Sequence, residues 1–409
     1  MTSRILLVTT NFWPEPTGSA VYATDLANTL NGNGFEVTIL TSLPHYPWWR
    51  VPAEFAHLGE GESTYNGVRV VRAKHLVPPT MNAIQRMRFE LSLWWNLRRV
   101  SKRFEAGEFD AVIAYIPTVA AGIIGKKLAT KFRIPYGLII QDLSGAGAKQ
   151  SGIKGGALIS FVAKAVEGRA LFAADSIAVV SPAMPDVLVG LGVNRGQITQ
   201  ILNYSANLIE YVDRSEARER FGWSPDAFIV LHTGNMGAKQ DLENVVNAAV
   251  ELSTHAEIQF YLVGHGNQEA KLTLLCSNLE NINVLSAVSD ADYSAVLAAA
   301  DLLLVNERAT QMEMSLPSKL TSYLFSRRPV LAAVPRGGAT WKFLEGFAVL
   351  VEAGKPSELA KAIVEIKGNP NERIRLSGVG LDFAQKNLSV ESGRKNYLNW
   401  VRKLLTVSV

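Results

Sequence analysis

The fold is indicated most clearly by one stretch of the sequence, Leu231-His-Thr-Gly-Asn-Met-Gly-Ala-Lys-Gln-Asp-Leu-Glu243. An apolar run at 228–231 is typical of a buried parallel strand, and an amphipathic helix is predicted to begin near Gln240. Between them, the glycine turn at 234–237 would let backbone N–H groups approach an anion, and the helix N-terminus would add partial positive charge. With Lys239 at the same corner, the stretch predicts a diphosphate cradle. The alternative is an ordinary strand-to-helix turn with a surface lysine.

Apolar strands alternate with helices along most of the chain, which predicts an α/β fold with parallel sheets covered on both faces. The predicted strands form two series, at 5–9, 36–40, 68–72, 111–114, 137–140 and 176–180, and at 228–231, 258–263, 282–285, 302–305, 330–333 and 348–351. They predict two doubly wound, Rossmann-like domains, over residues 1–205 and 206–385. Since ligands of such sheets bind at the carboxyl ends of strands, the predicted site is a cleft across which the domains face.

Composition excludes several classes of protein. The chain has 409 residues, enough for two full cores, and no apolar segment reaches the roughly 18 residues of a membrane span. The N-terminus passes straight into a strand, so no signal peptide is predicted, and the single cysteine, Cys276, fits a reducing cytosol. The net charge is only +4 and base-reading motifs are missing, so nucleic acid is not a predicted partner. The six histidines are scattered, so no metal site is predicted.

Five segments resemble the GT-B nucleotide-sugar glycosyltransferases, specifically the retaining glycosyltransferase family 4. They are residues 11–19 with 26–27, and residues 32–41, 234–240, 262–266 and 316–320. The last three resemble the exopolysaccharide branch, including colanic-acid-type fucosyltransferases. The resemblance implies transfer of a sugar from a nucleoside-diphosphate sugar to a hydroxyl of a glycan acceptor, often lipid-linked, with retention and without a metal cofactor. It also implies a C-terminal helix, over residues 386–409, that crosses back to the first domain.

The resemblance assigns the donor to two glycine loops and several basic groups. Departing nucleoside diphosphate gains negative charge as the glycosidic bond breaks, so N–H groups and ammonium groups are needed around it. The donor-binding residues that the resemblance implies are Gly18, Ser19, Gly234, Asn235, Gly237, Lys239, Gly264, His265, Gly266, Ser318 and Lys319.

Two departures from the family pattern affect the donor site. Family 4 usually has an arginine shortly before the lysine, and Asn235 stands near that place. Its pair of glutamates before the Gly-x-Pro-Val strand is also missing, since counting back from Pro329 gives Ser322 and Met314. Glu313 and Arg308 are the candidates to replace these contacts, and Glu313 is a predicted catalytic residue together with Lys239.

The acceptor is predicted to lie against the first domain. Family members often place a histidine after the fifth strand, whereas here the strand ends in Gln141 and Asp142, and Gln141 is predicted to bind the acceptor. Asp142 is predicted to accept the acceptor's proton or to contact the sugar, and the alternative is a helix N-cap. The aromatic segment 45–50 follows a strand at the ligand edge, so its members are predicted to contact acceptor sugar or lipid, or else to form a packed loop: His45, Tyr46 and Trp48.

Residues 81–104 combine six basic residues and one acid with apolar residues at helical spacing. That composition suits an anionic membrane surface, where each basic residue contributes about 1 kcal/mol. The predicted contacts are Arg86, Arg88, Trp94, Trp95, Arg98 and Arg99. We therefore expect a cytoplasmic protein, peripheral at the inner face of the membrane. The alternative is a crossover helix with a solvated face.

Asp290-Ala-Asp292 superficially matches the Asp-x-Asp metal site of another nucleotide-sugar fold. Because it follows Ser289 at a predicted helix start, we interpret these residues as an N-cap and first-turn acids.

Two other functions are compatible with the sequence. The missing glutamate pair and arginine would suit a catalytically inactive binding or regulatory subunit. A nucleotide-sugar 2-epimerase shares the fold, although the Gly18 loop and the 316–319 segment resemble transferases better.

Overall fold

The computed structural model describes residues 2–16, 18–78, 82–116, 118–141, 171–204, 209–310 and 316–407. Two predicted catalytic residues, Asp142 and Glu313, lie outside these ranges. The chain divides into two compact units. The first comprises Met1–Val180, Met184–Asn203 and Gly393–Val409, and the second comprises Ser181–Ala183 and Tyr204–Ser392. The domain boundaries predicted from the sequence remain predictions.

The first unit is built on an eight-stranded sheet. Its strands are β1 Arg4–Thr9, β2 Glu36–Ser42, β3 Gly61–Tyr65, β4 Val68–Ala73, β5 Ala111–Ile116, β6 Tyr136–Ile140, β7 Ser176–Val179 and β8 Ile198–Gln200. Their spatial order is β3-β4-β2-β1-β5-β6-β7-β8, and every neighbouring pair is parallel except β3 with β4. Strands β5, β6 and β7 are buried along their whole length, as expected for parallel strands covered on both faces.

The second unit contains a six-stranded, fully parallel sheet. Its strands are β9 Phe228–Thr233, β10 Ile258–Val263, β11 Ile282–Leu285, β12 Leu302–Asn306, β13 Val330–Val334 and β14 Val349–Glu352. Their spatial order, β11-β10-β9-β12-β13-β14, is that of a Rossmann sheet, with its topological switch between β9 and β12. A ligand is therefore expected where these two strands end.

Helices connect most of the strands. They are α1 Ser19–Gly32, α2 Ala83–Val100, α3 Val119–Phe132, α4 Met184–Gly190, α5 Arg214–Phe221, α6 Glu243–Glu251, α7 Glu269–Cys276, α8 Asp290–Ala298, α9 Lys319–Phe325, α10 Ala339–Leu344, α11 Pro356–Lys367, α12 Pro370–Asn387 and α13 Val390–Leu405, with 3₁₀ turns at Ala53–Leu58, Ser101–Arg103 and Arg195–Gln197. The end of α13 packs on the first unit at β6. A Cβ on Gly137 would lie 2.7 Å from Leu404 and 2.8 Å from Trp400, so glycine allows the helix to pack this closely on the strand.

The predicted α/β architecture of two parallel-sheet domains is confirmed, and every predicted strand is present. The helix predicted to begin near Gln240 begins instead at Glu243, so that prediction was wrong by most of a turn. The cause is local. Asp241 has a positive φ of 47°, and the Gln240 side chain accepts a hydrogen bond from the amide of Gly237, which holds the backbone in a turn.

Candidate functional site

The carboxyl end of β12 and the loop that follows β9 border a cavity at the switch point of the second sheet. Lys239 reaches it from the loop after β9, and Lys319 reaches it from the start of α9. The full lining is Lys239, Gln240, Val305, Asn306, Glu307, Pro317 and Lys319. The structure thus brings together the two lysines that the sequence analysis assigned to the donor diphosphate.

The two predicted glycine loops pack directly on one another. The amide of Met236 donates to the carbonyl of His265 at 2.8 Å, and the amide of Gln268 donates to the carbonyl of Met236 at 2.9 Å. A Cβ on Gly264 would lie 1.8 Å from the carbonyl oxygen of Gly234, and one on Gly266 would lie 2.4 Å from that of Met236. Only glycine fits at these two positions, since the opposing atoms belong to backbone.

Asn306, at the end of β12, fixes the turn that carries Lys239. Its Nδ2 donates to the carbonyls of Gln240 at 2.8 Å and Asp241 at 3.0 Å, and its Oδ1 accepts from Asn244 Nδ2 at 2.8 Å. Asn306 is buried, so this network is shielded from water. The sequence analysis missed Asn306 and Asn244. A polar residue directly after the apolar strand was the available signal for Asn306.

Lys319 contacts a buried histidine that the sequence analysis also missed. Its Nζ lies 3.1 Å from Nε2 of His232, a β9 residue whose exposed fraction is 0%. Burial lowers the pKa of Lys319 to about 7, while the negative charge of Glu307 acts to raise it. Burial, and then the charge of Lys319, hold the pKa of His232 well below its ordinary value. Lys319 is the first residue of α9, and Ser318 is the N-cap residue of that helix.

The remaining predicted donor residues of this unit are at the surface. Asn235, His265 and Arg308 are exposed. His265 Nδ1 lies 3.2 Å from Glu269 Oε2, and the amide of Arg308 donates to the carbonyl of Lys239 at 2.9 Å. Arg308 therefore supports the Lys239 turn through its backbone.

In the first unit, Glu15 joins the loops that follow β1 and β2. Its carboxylate, 4% exposed, accepts from the amides of His45 at 2.7 Å and Tyr46 at 2.9 Å, and from Asn11 Nδ2 at 2.7 Å. Burial raises the pKa of Glu15 to about 7, while these hydrogen bonds act in the opposite direction. The Tyr46 ring reaches within 3.4 Å of a Cβ built on Gly18, which has a φ of 65° and precedes α1 at Ser19.

The predicted acceptor residues are placed in different environments. His45 is buried, and burial lowers its pKa to about 4, whereas Tyr46 is exposed at the surface. Trp48 is half-buried and tilts against Phe55, with ring centroids 5.7 Å apart. Gln141, at the end of β6, exchanges hydrogen bonds with Asn203 at 2.8 and 3.1 Å and donates to Tyr115.

The Asp290 segment forms a helix start, as predicted. Ser289 is the N-cap of α8, and its Oγ accepts from the amide of Asp292 at 3.2 Å. Asp292 also forms an ion pair with Arg220. Within the described ranges, no three His, Cys, Asp or Glu side chains are grouped as a metal site requires.

Comparisons with known proteins agree with this geometry. Residues 17–203 match the family described as "Glycosyl transferase 4-like domain", and residues 227–369 match "Glycosyl transferases group 1". The chain belongs to the GT-B glycosyltransferases. Among curated GT-B relatives, it is 26% identical over 419 residues to the "Putative colanic acid biosynthesis glycosyl transferase WcaI" of Escherichia coli (strain K12), covering 98% of this chain and 100% of that protein. The predicted resemblance to the colanic-acid-type branch is confirmed.

Solved GT-B structures are similar over almost the whole chain. Sucrose-phosphate synthase from Thermosynechococcus elongatus superposes with a TM-score of 0.70 at 18% identity, covering 98% of this chain and 99% of the other. HepE from Anabaena, solved in complex with UDP-glucose, superposes with a TM-score of 0.63 at 16% identity, covering 98% and 99%. At these identities the likeness establishes the GT-B fold.

Proposed function

We propose that this GT-B glycosyltransferase moves a sugar from a nucleoside-diphosphate sugar to a hydroxyl of a lipid-linked glycan acceptor in surface-polysaccharide biosynthesis. The observation that carries the proposal is the cavity at the β9–β12 switch point, lined by Lys239 and Lys319 beside two interlocked glycine loops. The relatives support it, because WcaI is named for colanic acid biosynthesis and HepE was solved with UDP-glucose.

The chemistry requires stabilisation of the departing diphosphate. Lys239 and Lys319 would face the negative charge that develops as the glycosidic bond breaks. The amides of Gly234, Met236 and Gly237, which the sequence analysis offered to the anion, instead donate to Val263, His265 and Gln240. We propose that transfer proceeds with retention, the leaving diphosphate taking the acceptor's proton, as family 4 membership implies. Asp142 and Glu313 remain candidates for acceptor and donor contacts.

Donor binding is tested by thermal stability. One nucleoside diphosphate among GDP, UDP, ADP and dTDP should stabilise the protein, by about 2.7 kcal/mol at 100 times its dissociation constant. Lys239→Ala should abolish most of the shift and leave the ligand-free melting temperature nearly unchanged, because Lys239 is exposed. The matched control is Lys271→Ala, which removes another exposed lysine of the same unit, paired with Glu243 at 2.5 Å.

If none of the four nucleoside diphosphates stabilises the protein, the donor-site proposal is wrong. Binding without sugar transfer to any lipid-linked glycan would favour the inactive binding subunit instead. Interconversion of the nucleotide-sugar at C2 without transfer would favour the epimerase.

We propose that no metal takes part in transfer. The Asp290 segment, the sequence's nearest match to a metal motif, is engaged as a helix start, with Asp292 bound by Ser289 and Arg220. Transfer measured with excess EDTA should be unchanged, and Asp290→Asn should not alter turnover. Strict dependence on added manganese would contradict this assignment.

We also propose that α2 docks on an anionic membrane. Its exposed face carries an apolar stripe at helical spacing: Ile84, Met87, Leu91 and Trp95, which are 64%, 46%, 57% and 61% exposed. Such a stripe among basic residues suits a headgroup boundary. Other predicted membrane-contact residues of α2 make contacts within the protein. Trp94 packs against the buried Phe89, Leu93 and Ala120 cluster with Arg98 over its ring, while Arg86 and Arg99 pair with Glu90 and Glu60.

Membrane docking is tested by vesicle sedimentation. Binding should require phosphatidylserine and weaken as salt rises, because screening shortens the reach of the basic residues. Leu91→Gln with Trp95→Gln should reduce it strongly, while Leu274→Gln, which changes an even more exposed leucine of the second unit, should not. Equal sedimentation of both variants would leave α2 as a crossover helix. In the described part of the chain, no helix has the length and apolar character needed to cross a bilayer.

A further inference from the structure

Lys319, which lines the proposed donor cavity, contacts the fully buried imidazole of His232. The two nitrogens, Nζ of Lys319 and Nε2 of His232, are 3.1 Å apart, which is within hydrogen-bond distance. A Cβ on Gly234 would lie 3.7 Å from both Cε and Nζ of Lys319, so the amine lies against the glycine turn. The pair is therefore placed where the predicted diphosphate would enter.

A carboxylate side chain, Glu307, lines the same cavity as Lys319. Glu307, directly after β12, favours the charged amine through its field and accepts a hydrogen bond from Thr340 at 2.6 Å. Lys239 lines the same cavity from the glycine loop. On α9 itself, the Tyr323 hydroxyl accepts from the amide of Thr233 at 2.8 Å.

Tyr293, from α8, completes the groups around the end of β9, with its hydroxyl 3.3 Å from Thr233 Oγ1. Burial raises the pKa of Tyr323 above its ordinary value, so its hydroxyl does not lose a proton near neutral pH. His232 is fully buried next to the amine and stays neutral. Lys319 is the group in this cluster that changes charge near pH 7, since burial lowers its pKa to about 7.

We propose that Lys319 binds the donor diphosphate as a proton-accepting ligand, standing uncharged against His232 in the empty protein and taking up a proton as the diphosphate enters. This inference rests on the proposed donor site. It means that an ammonium is formed only when an anion is present to pair with it. Above pH 7 the affinity for a nucleotide-sugar should then fall by up to about tenfold per pH unit, because the proton must be supplied by solvent.

Proton uptake is measured by titration calorimetry in buffers of different ionisation enthalpy. The probe is UDP-glucose, or whichever of GDP-mannose, ADP-glucose and dTDP-glucose stabilises the protein most. A nucleotide-sugar is used because the terminal phosphate of a free diphosphate titrates near pH 6 and would add its own protons. At pH 8 we expect uptake of about one proton per bound molecule, falling toward none at pH 6.

Two variants test whether Lys319 is the group that takes up the proton on binding. Lys319→Arg should bind without proton uptake, because a guanidinium is charged throughout this pH range. Lys239→Ala should weaken binding but leave the number of protons unchanged. No uptake by the wild type, or the same uptake by Lys319→Arg, would overturn the proposal.

A ligand-free measurement separates this proposal from the proposed function. Between pH 7 and the ordinary lysine pKa of about 10.4, the unfolded chain binds a proton that folded Lys319 does not, so folding stability should rise with pH. Compared with Lys319→Met, the wild type should gain up to about tenfold in its folding constant per pH unit between pH 7 and 9. A constant difference would mean that Lys319 stays charged, whether or not any nucleotide-sugar binds. If the difference rises and none of the four nucleotide-sugars binds, the proposed donor site fails while the uncharged lysine stands.

Discussion

Gly264→Ala and Gly266→Ala are each expected to abolish donor binding and to destabilise the second unit by about 3 kcal/mol or more. The new methyl groups would meet the carbonyl oxygens of Gly234 at 1.8 Å and Met236 at 2.4 Å. Those atoms belong to backbone, which cannot rotate aside as a long side chain does. At Gly264 the φ of 155° adds strain. The two loops must separate, which displaces the turn from which Lys239 reaches the proposed donor cavity.

The measurements are urea unfolding and the thermal shift with the nucleoside diphosphate that stabilises the wild type. Gly378→Ala is the matched control, since a Cβ there meets nothing within 4 Å and alanine is favoured inside α12 by about 1 kcal/mol. Gly346→Ala isolates backbone strain, because Gly346 has a φ of 93° in open space. Wild-type affinity in Gly266→Ala would show that the loops do not depend on this contact.

The sequence predicted the strands well because a parallel strand buried on both faces is a continuous apolar run. It missed β3, whose residues alternate between half-buried and exposed. A signal was nevertheless present. Asn66 and Gly67 lie between β3 and β4 with φ values of 47° and 78°, and an Asn-Gly pair is the strongest short-range sign of a tight hairpin. The three-residue strand β8 has no comparable signal.

The site was predictable where its residues are adjacent in the chain. The glycine loops and Lys239 each follow a strand, so their position at the ligand edge follows from strand direction alone. Asn306, Glu15 and His232 act through partners 30 to 87 residues away, as in the contacts of Asn306 with Gln240 and of His232 with Lys319. Such pairs depend on strand order and register, which a single sequence does not specify.

Arg218→Met is expected to destabilise the second unit by about 3–5 kcal/mol, because it breaks a buried charged network from one side. Arg218, on α5, is 2% exposed and donates to Asp301 at 2.5 Å. It also donates to four backbone carbonyls at 2.8 to 3.0 Å, those of Ser224, Pro225, Ala227 and Ala299. Methionine fills a similar volume but leaves these carbonyls without their donor.

Arg220→Met, on the same helix, is the matched control for urea unfolding. Its partner is Asp292 and half of its side chain is exposed, so the expected cost is about 1 kcal/mol or less. Equal costs for the two variants would contradict the role given to Arg218.

Donor affinity separates stability from function. Asp301 immediately precedes β12 and Asn306 ends it, so Arg218 acts about 16 Å from the cavity, at the other end of that strand. Under conditions where the Arg218→Met variant is folded, its affinity for the nucleoside diphosphate should therefore equal that of the wild type.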